Sequence, residues 1–156
     1  MTLFLHESVH ILISLIIGYL VWCIYKKPFP SFFAAFLGGV LIDLDHLVDY
    51  FFVYGFNFNL VNFLKGYHFY ISNKLYVPFH AWEYVVILNI LYIYFEKKWK
   101  QKKVAVFKII LAFVLALNLG IYSHLIIDTF SNGVESFGYS LIYRALNKFR
   151  SDKVSN

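Results

Sequence analysis

Asp43, Asp45, His46 and Asp49 stand within seven residues of one another, near the end of an apolar run that begins around Ser31. No other feature restricts what this chain can fold into as strongly. Three carboxylates and an imidazole in so apolar a segment are costly to bury unless something pairs with them. A divalent cation is the partner to which this mixture points. Asp and His together suit zinc, manganese or iron better than calcium, which prefers all-oxygen sites.

The surroundings are those of an integral membrane protein. The sequence is 60% hydrophobic and only 15% charged, against about 45–50% and about 25% in soluble domains. Its mean hydropathy is +0.64. The formal net charge is +5, but the basic residues gather at the ends of apolar runs, as membrane flanks do, which argues against a nucleic-acid partner. Cys23 is the single cysteine, so no intrachain disulfide forms. The N-terminus lacks a positive leader and carries His6, Glu7 and His10 before the first apolar run, so no cleavable signal is read there.

A helix needs about 20 mainly apolar residues to span a bilayer. Four segments qualify or nearly do: 9–25, 31–53, 79–95 and 104–130. The expected fold is therefore an all-α bundle of four transmembrane helices occupying residues 1–133, with a tail at 134–156. The aromatic stretch from Tyr54 to Pro78 is too interrupted to span and is read as an interfacial loop or short helix. Phe137, Leu141, Ile142, Ala145, Leu146 and Phe149 recur at helical spacing with Arg144, Lys148 and Arg150 among them. This pattern predicts an amphipathic basic helix on the membrane surface.

Alternating the direction of four successive spans brings their polar ends to one face. That face receives His6, His10, Asp43, Asp45, His46, Asp49, His80, Glu83, His124 and Asp128, with His68 in the loop on the same side. All six histidines fall there. The opposite face carries eight basic residues, Lys26, Lys27, Lys97, Lys98, Lys100, Lys102, Lys103 and Lys108, against one acid, Glu96. The positive-inside rule places those lysines in the cytoplasm and the polar cluster on the non-cytoplasmic side of the cell membrane.

His124 and Asp128 are four residues apart and project from one helical face, as do His6 and His10. Asp43 and His46, and likewise His80 and Glu83, are aligned at a spacing of three. Asp43 and Asp45 diverge by about 200° on an ideal helix, so either the helix breaks near them or they serve different ions or partners. Asp49 reads equally as a helix-end residue, and Glu83 as a hydrogen-bond partner of a ligand histidine. His6 and His68 are left without an assigned role.

Val9-His10-Ile-Leu-Ile-Ser, Gly39-Val-Leu-Ile-Asp43-Leu-Asp45-His46, Phe79-His80-Ala-Trp-Glu83 and Gly120-Ile-Tyr-Ser-His124-Leu-Ile-Ile-Asp128 resemble the motifs of the LexA-regulated, membrane-bound metal-dependent hydrolase family. The resemblance runs to about Gly133. It implies a metal-site role for His10, Asp43, Asp45, His46, His80, His124 and Asp128. The His-x-x-x-Asp element is also distantly similar to one in zinc-dependent phospholipase C. The chain departs from the family pattern at Ile42, where proline is usual, and lacks the His-Arg-Gly-x-x-His stretch.

The expected function is that of a hydrolase holding one to three divalent ions, zinc first, with manganese or iron as alternatives. Metal-activated water would cleave a phosphoester of a lipid or another amphiphile, with Asp45 or Glu83 as proton acceptor. Membrane lipids are the expected surroundings, and Arg144 or Lys148 the expected phosphate contact. The competing readings are a metal-ion carrier or sensor, which needs polar residues through the other half of the bundle (Ser14, Asn89 and Asn118 are there), and a structural protein whose charges fix helix packing.

Overall fold

A computed structural model describes residues 3–154 of the chain. Among these the regular structure is helical, apart from one isolated antiparallel bridge between Lys74 and Arg150. The helices are α1 (Leu3–Tyr25), α2 (Pro28–Gly39), α3 (His46–Tyr54), α4 (Leu60–Leu64), α5 (Tyr67–Ser72), α6 (Trp82–Lys102), α7 (Ala105–Ser131) and α8 (Leu141–Leu146). Short 3-10 turns occupy Leu41–Asp45, Ser136–Tyr139 and Ser151–Lys153.

Two helices are long and apolar enough to cross a membrane, Leu5–Tyr25 and Ala105–Ser131. The second expected span is two pieces, Pro28–Gly39 and Leu41–Tyr54, bent by 48°. They count as a third crossing if the bent pair is one span. The expected third span is the helix α6, but Glu83, Asn89 and the charged run from Glu96 to Lys102 dilute its apolar character, and it falls short by that measure.

Helix α7 is the hub, packing against α1, α2 and α6. It meets α2 through small residues. Ala112, Ala116 and Gly120 recur every four residues on α7, and Ala34, Ala35, Gly38 and Gly39 line α2, all of them buried. A Cβ on Gly120 would stand 2.8 Å from the Ala35 carbonyl oxygen, and one on Gly38 would stand 2.6 Å from that of Leu117. The two backbones therefore touch, as expected where helices associate by close packing in lipid. Val21, Tyr25, Ala34, Ala35, Leu111, Ala112 and Ala116 fill the end of the bundle near the lysines. There the Tyr25 and Tyr92 hydroxyls, 2.6 Å apart, tie α1 to α6. On α1, Leu12, Leu15, Ile16, Leu20 and Ile24 face outward and exposed, the surface a lipid environment covers.

The tail differs from the expected surface helix. Helix α8 is only six residues long, and the segment after it is stitched to the chain before α6. Leu75 donates its N–H to the Phe149 carbonyl (2.8 Å), and Ser151 to that of Asn73 (2.9 Å). Arg144, placed by the sequence pattern on a solvated basic face, is fully buried. The reason is local: backbone carbonyls beneath α8 need donors, and a guanidinium supplies several.

Candidate metal centre

The break after α2 shapes the site. Gly38 and Gly39 end the helix against α7, and the chain tightens into the 3-10 turn Leu41–Asp45 before resuming as α3. Asp43 and Asp45 then grip one imidazole from two sides. Asp43 Oδ1 lies 3.2 Å from His80 Nε2, and Asp45 Oδ1 lies 3.0 Å from Nδ1 of the same ring. Their divergence in sequence is thereby resolved.

Four ligand atoms converge from three parts of the chain: Asp43 Oδ1, His80 Nε2, His124 Nε2 and one oxygen of Asp128. His80 Nε2 lies 3.0 Å from His124 Nε2 and 3.6 Å from Asp128 Oδ2. His124 Nε2 lies 3.3 Å from Asp43 Oδ1 and 3.4 Å from Asp128 Oδ2. A tetrahedral ion with bonds of about 2.0–2.1 Å would set its ligands about 3.3–3.4 Å apart. The five edges that involve His80 or His124, from 3.0 to 3.6 Å, straddle that value.

The far nitrogens fix what the near ones can do. His124 Nδ1 lies 3.1 Å from the Gly39 carbonyl oxygen, which can only accept, so Nδ1 is the N–H donor. His80 Nδ1 faces the Asp45 carboxylate, which sets the same tautomer. In neutral rings both Nε2 atoms then present lone pairs to each other and to two carboxylates. If both rings were fully protonated, two N–H groups would oppose each other across 3.0 Å. A bound cation satisfies all four acceptors at once. Carbonyl and carboxylate partners on the far nitrogen are the usual way a ligand histidine is oriented.

A second group adjoins the first. His6 Nε2, His10 Nε2 and Asp128 Oδ1 are 3.0, 3.1 and 3.4 Å apart pairwise. Asp128 therefore offers one oxygen to each group. The His10 ring stacks on that of His124 with centroids 4.0 Å apart. Glu7 is near enough to interact electrostatically with Asp43, His10, His6 and His124. His46 Nε2 lies 3.4 Å from Asp43 Oδ1. A third potential group, Asp45, His46 and His80, reuses His80 and the carboxylate that already orients it. His46, Asp43 and His6 form the accessible edge, with side chains 28%, 23% and 13% exposed. The side chains of His10, His80, His124 and Asp128 are no more than 2% exposed.

Comparison with protein-family models, curated proteins and solved structures returns no match. The site therefore stands on its own geometry.

All seven metal candidates from the sequence come together: His10, Asp43, Asp45, His46, His80, His124 and Asp128. His6, which had no assigned role, joins them through the i, i+4 spacing it shares with His10. The two proton acceptors read from the sequence, Asp45 and Glu83, both accept hydrogen bonds from the protein. Glu83 accepts from the Ser140 hydroxyl (2.6 Å) and from the Leu141 and Ile142 N–H groups (3.1 Å each), so it anchors the start of α8. Asp45 accepts from the Phe79 N–H (2.7 Å) and orients His80. Asp49 accepts from the N–H groups of Tyr76 and Val77. His68 sits apart in an aromatic cage of Tyr50, Phe63 and Phe69, with no hydrogen-bond partner on either nitrogen. Burial, followed by the nearby His46, pushes its pKa down to about 4. Of the two expected phosphate contacts, Arg144 and Lys148, the first is fully buried. Its guanidinium donates to the carbonyls of Tyr76, Val77 and His80, and burial lowers its pKa.

Proposed function

We propose that this chain is a membrane-bound metal-dependent hydrolase that cleaves a phosphoester of a lipid or another amphiphile. The observation that carries the reading is the convergence of two oriented imidazoles and two carboxylates with tetrahedral spacing. Zinc is the ion that this N2O2 set fits best. A second ion at His6, His10 and Asp128 would share the Asp128 carboxylate with the first. A bound ion of this kind polarises a phosphoryl oxygen and lowers the pKa of water.

The protein's own groups do the rest. Asp45 and the Gly39 carbonyl hold the His80 and His124 rings in their working tautomers. Asp43 Oδ2 is buried and has no hydrogen-bond partner, so it is available to accept a proton inside the site. Leu44 and Phe79, each next in sequence to a site residue, are 59% and 56% exposed. Exposed apolar side chains this close in sequence to the site favour an amphiphile. In this reading α1, α2 with α3, α6 and α7 all cross the bilayer, and the cluster faces the non-cytoplasmic side, opposite Lys26, Lys27 and Lys97–Lys103.

A second reading, an ion carrier, is favoured by Ser14 Oγ and Asn118 Oδ1. Both are buried without partners in the bundle interior. Asn89, which the carrier reading also needs, instead bonds the Val85 carbonyl on its own helix and is exposed. Elemental analysis of purified protein, paired with phosphoester hydrolysis in detergent, tests the proposal. Stoichiometric metal and turnover, both lost in His124→Ala, support the hydrolase. Metal without turnover, together with ion flux in sealed liposomes, would favour the carrier. Protein that binds no stoichiometric metal would overturn both.

A further inference from the structure

The segment Tyr76–Ala81 delivers His80 to the cluster, and it is held from both sides by buried charge. On its N–H side, the Asp49 carboxylate accepts from Tyr76 (3.0 Å) and Val77 (3.4 Å), and Asp45 accepts from Phe79 (2.7 Å). On its carbonyl side stands Arg144, 0% exposed. One of its amino groups donates to the carbonyls of Tyr76 (2.6 Å) and Val77 (3.1 Å), and the other to that of His80 (2.6 Å). No carboxylate of the described residues lies within ion-pair distance of Arg144. The peptides between are therefore polarised, with negative charge at their N–H ends and positive charge at their carbonyl ends. This arrangement offsets the burial of Arg144, Asp45 and Asp49 together.

The segment needs such holding. Val77 is buried at a φ of 27°, a region that β-branched residues rarely occupy and keep only when their surroundings over-determine it. Arg144 is itself fixed from outside. Glu83 binds the start of α8 through Ser140, Leu141 and Ile142, and Arg144 accepts the Phe149 N–H (2.7 Å) on its own carbonyl.

We infer that Arg144 is a positioning residue for His80, which makes the C-terminal segment a clasp of the metal centre. The inference rests on the metal reading above for its consequence, but not for its geometry. Lysine cannot replace arginine here, because a single ammonium cannot reach both the Val77 and the His80 carbonyls with the fixed fork that Arg144 uses.

Cobalt(II) binding to full-length protein in detergent tests it, because the visible absorption of cobalt reports its ligand set. Arg144→Met is expected to weaken cobalt binding about 10–100-fold, the range for partners that orient a ligand. Its bound spectrum should shift toward that of His80→Ala. The double variant Arg144→Met/His80→Ala should bind no more weakly than His80→Ala alone, since Arg144 acts through that ring. A wild-type affinity and spectrum in Arg144→Met would overturn the clasp, and so would additive losses in the double variant. If Arg144→Met does not fold, Arg144→Lys decides by the same two readouts.

If wild-type protein takes up no cobalt, or if His80→Ala leaves the spectrum unchanged, the metal reading fails on its own. Amide exchange then decides the clasp. The Tyr76, Val77 and Phe79 amides should exchange at least about tenfold faster in Arg144→Met or Arg144→Lys than in wild type, and unchanged exchange would refute it.

Discussion

His80 and His124 aim their Nε2 atoms at each other across 3.0 Å, while the opposite nitrogens face Asp45 and the Gly39 carbonyl. In neutral rings that arrangement leaves two lone pairs opposed between two carboxylates. Removing His124 or Asp43 should therefore abolish stoichiometric zinc binding with the helical fold retained. The loss should exceed the about 10–100-fold expected for orienting partners. Calorimetric zinc titration of His124→Ala and Asp43→Ala, with circular dichroism as the fold control, measures this. Tight zinc binding in either variant would count against the tetrahedral site.

Metal removal should destabilise the protein. An ion present at 100 times its dissociation constant stabilises the folded state by about 2.7 kcal/mol. For a chain of this length that corresponds to a fall of about 5–10 °C in Tm on chelation. A strong chelator should lower the melting temperature by that amount, and returning zinc should restore it. In His124→Ala the chelator should have little effect.

Much of this site was legible in the sequence, because charged residues in apolar helices are expensive and helical spacing fixes their faces. His124 with Asp128, and Asp43 with His46, are pairs of that kind. What the sequence did not disclose was which groups face backbone. Glu83 shares a helical face with His80 in principle, yet its oxygens serve Ser140, Leu141 and Ile142, residues 57 to 59 positions away. Arg144 follows the amphipathic pattern of a surface helix, yet the carbonyls that bury it lie in a turn whose course no local pattern predicts. A bend after α2 was one of the outcomes left open by the divergence of Asp43 from Asp45, but its angle depends on the close contact with α7.

That contact yields a prediction of its own. Gly120→Ala would place a methyl 2.8 Å from the Ala35 carbonyl oxygen and 3.1 Å from the Gly39 nitrogen, both backbone atoms. Overpacking of this kind costs about 1–3 kcal/mol. Because the Gly39 carbonyl orients His124, the same substitution should also weaken zinc binding, although Gly120 offers no ligand. Thermal denaturation and zinc titration of Gly120→Ala should fall together. A stable variant with unchanged zinc affinity would show that α2 and α7 separate easily.

Since the Glu83 carboxylate is engaged at the start of α8, Glu83→Gln should keep most of any hydrolytic turnover while lowering thermal stability. Glutamine retains one acceptor oxygen for the Ser140, Leu141 and Ile142 donors but loses the charge that strengthens those bonds. The comparison is turnover number against Tm. Loss of turnover by several orders of magnitude at unchanged Tm would restore Glu83 as the base.

His68 predicts an acid limb in stability. Folded, its pKa is about 4; in the unfolded chain a histidine titrates near about 6.5. Above the unfolded value both states are neutral, and the contribution of the cage is intact. As pH falls below it, the unfolded chain takes up a proton that the folded cage of Tyr50, Phe63 and Phe69 excludes, so stability declines. The decline ends near the folded pKa, below which both states are charged. His68→Phe should shrink the loss of Tm between pH 6.5 and 4 while leaving zinc affinity at pH 7.5 unchanged, because His68 belongs to none of the potential metal groups among the described residues. An identical acid limb in the variant would place the titrating group elsewhere, with the histidines of the cluster next in line.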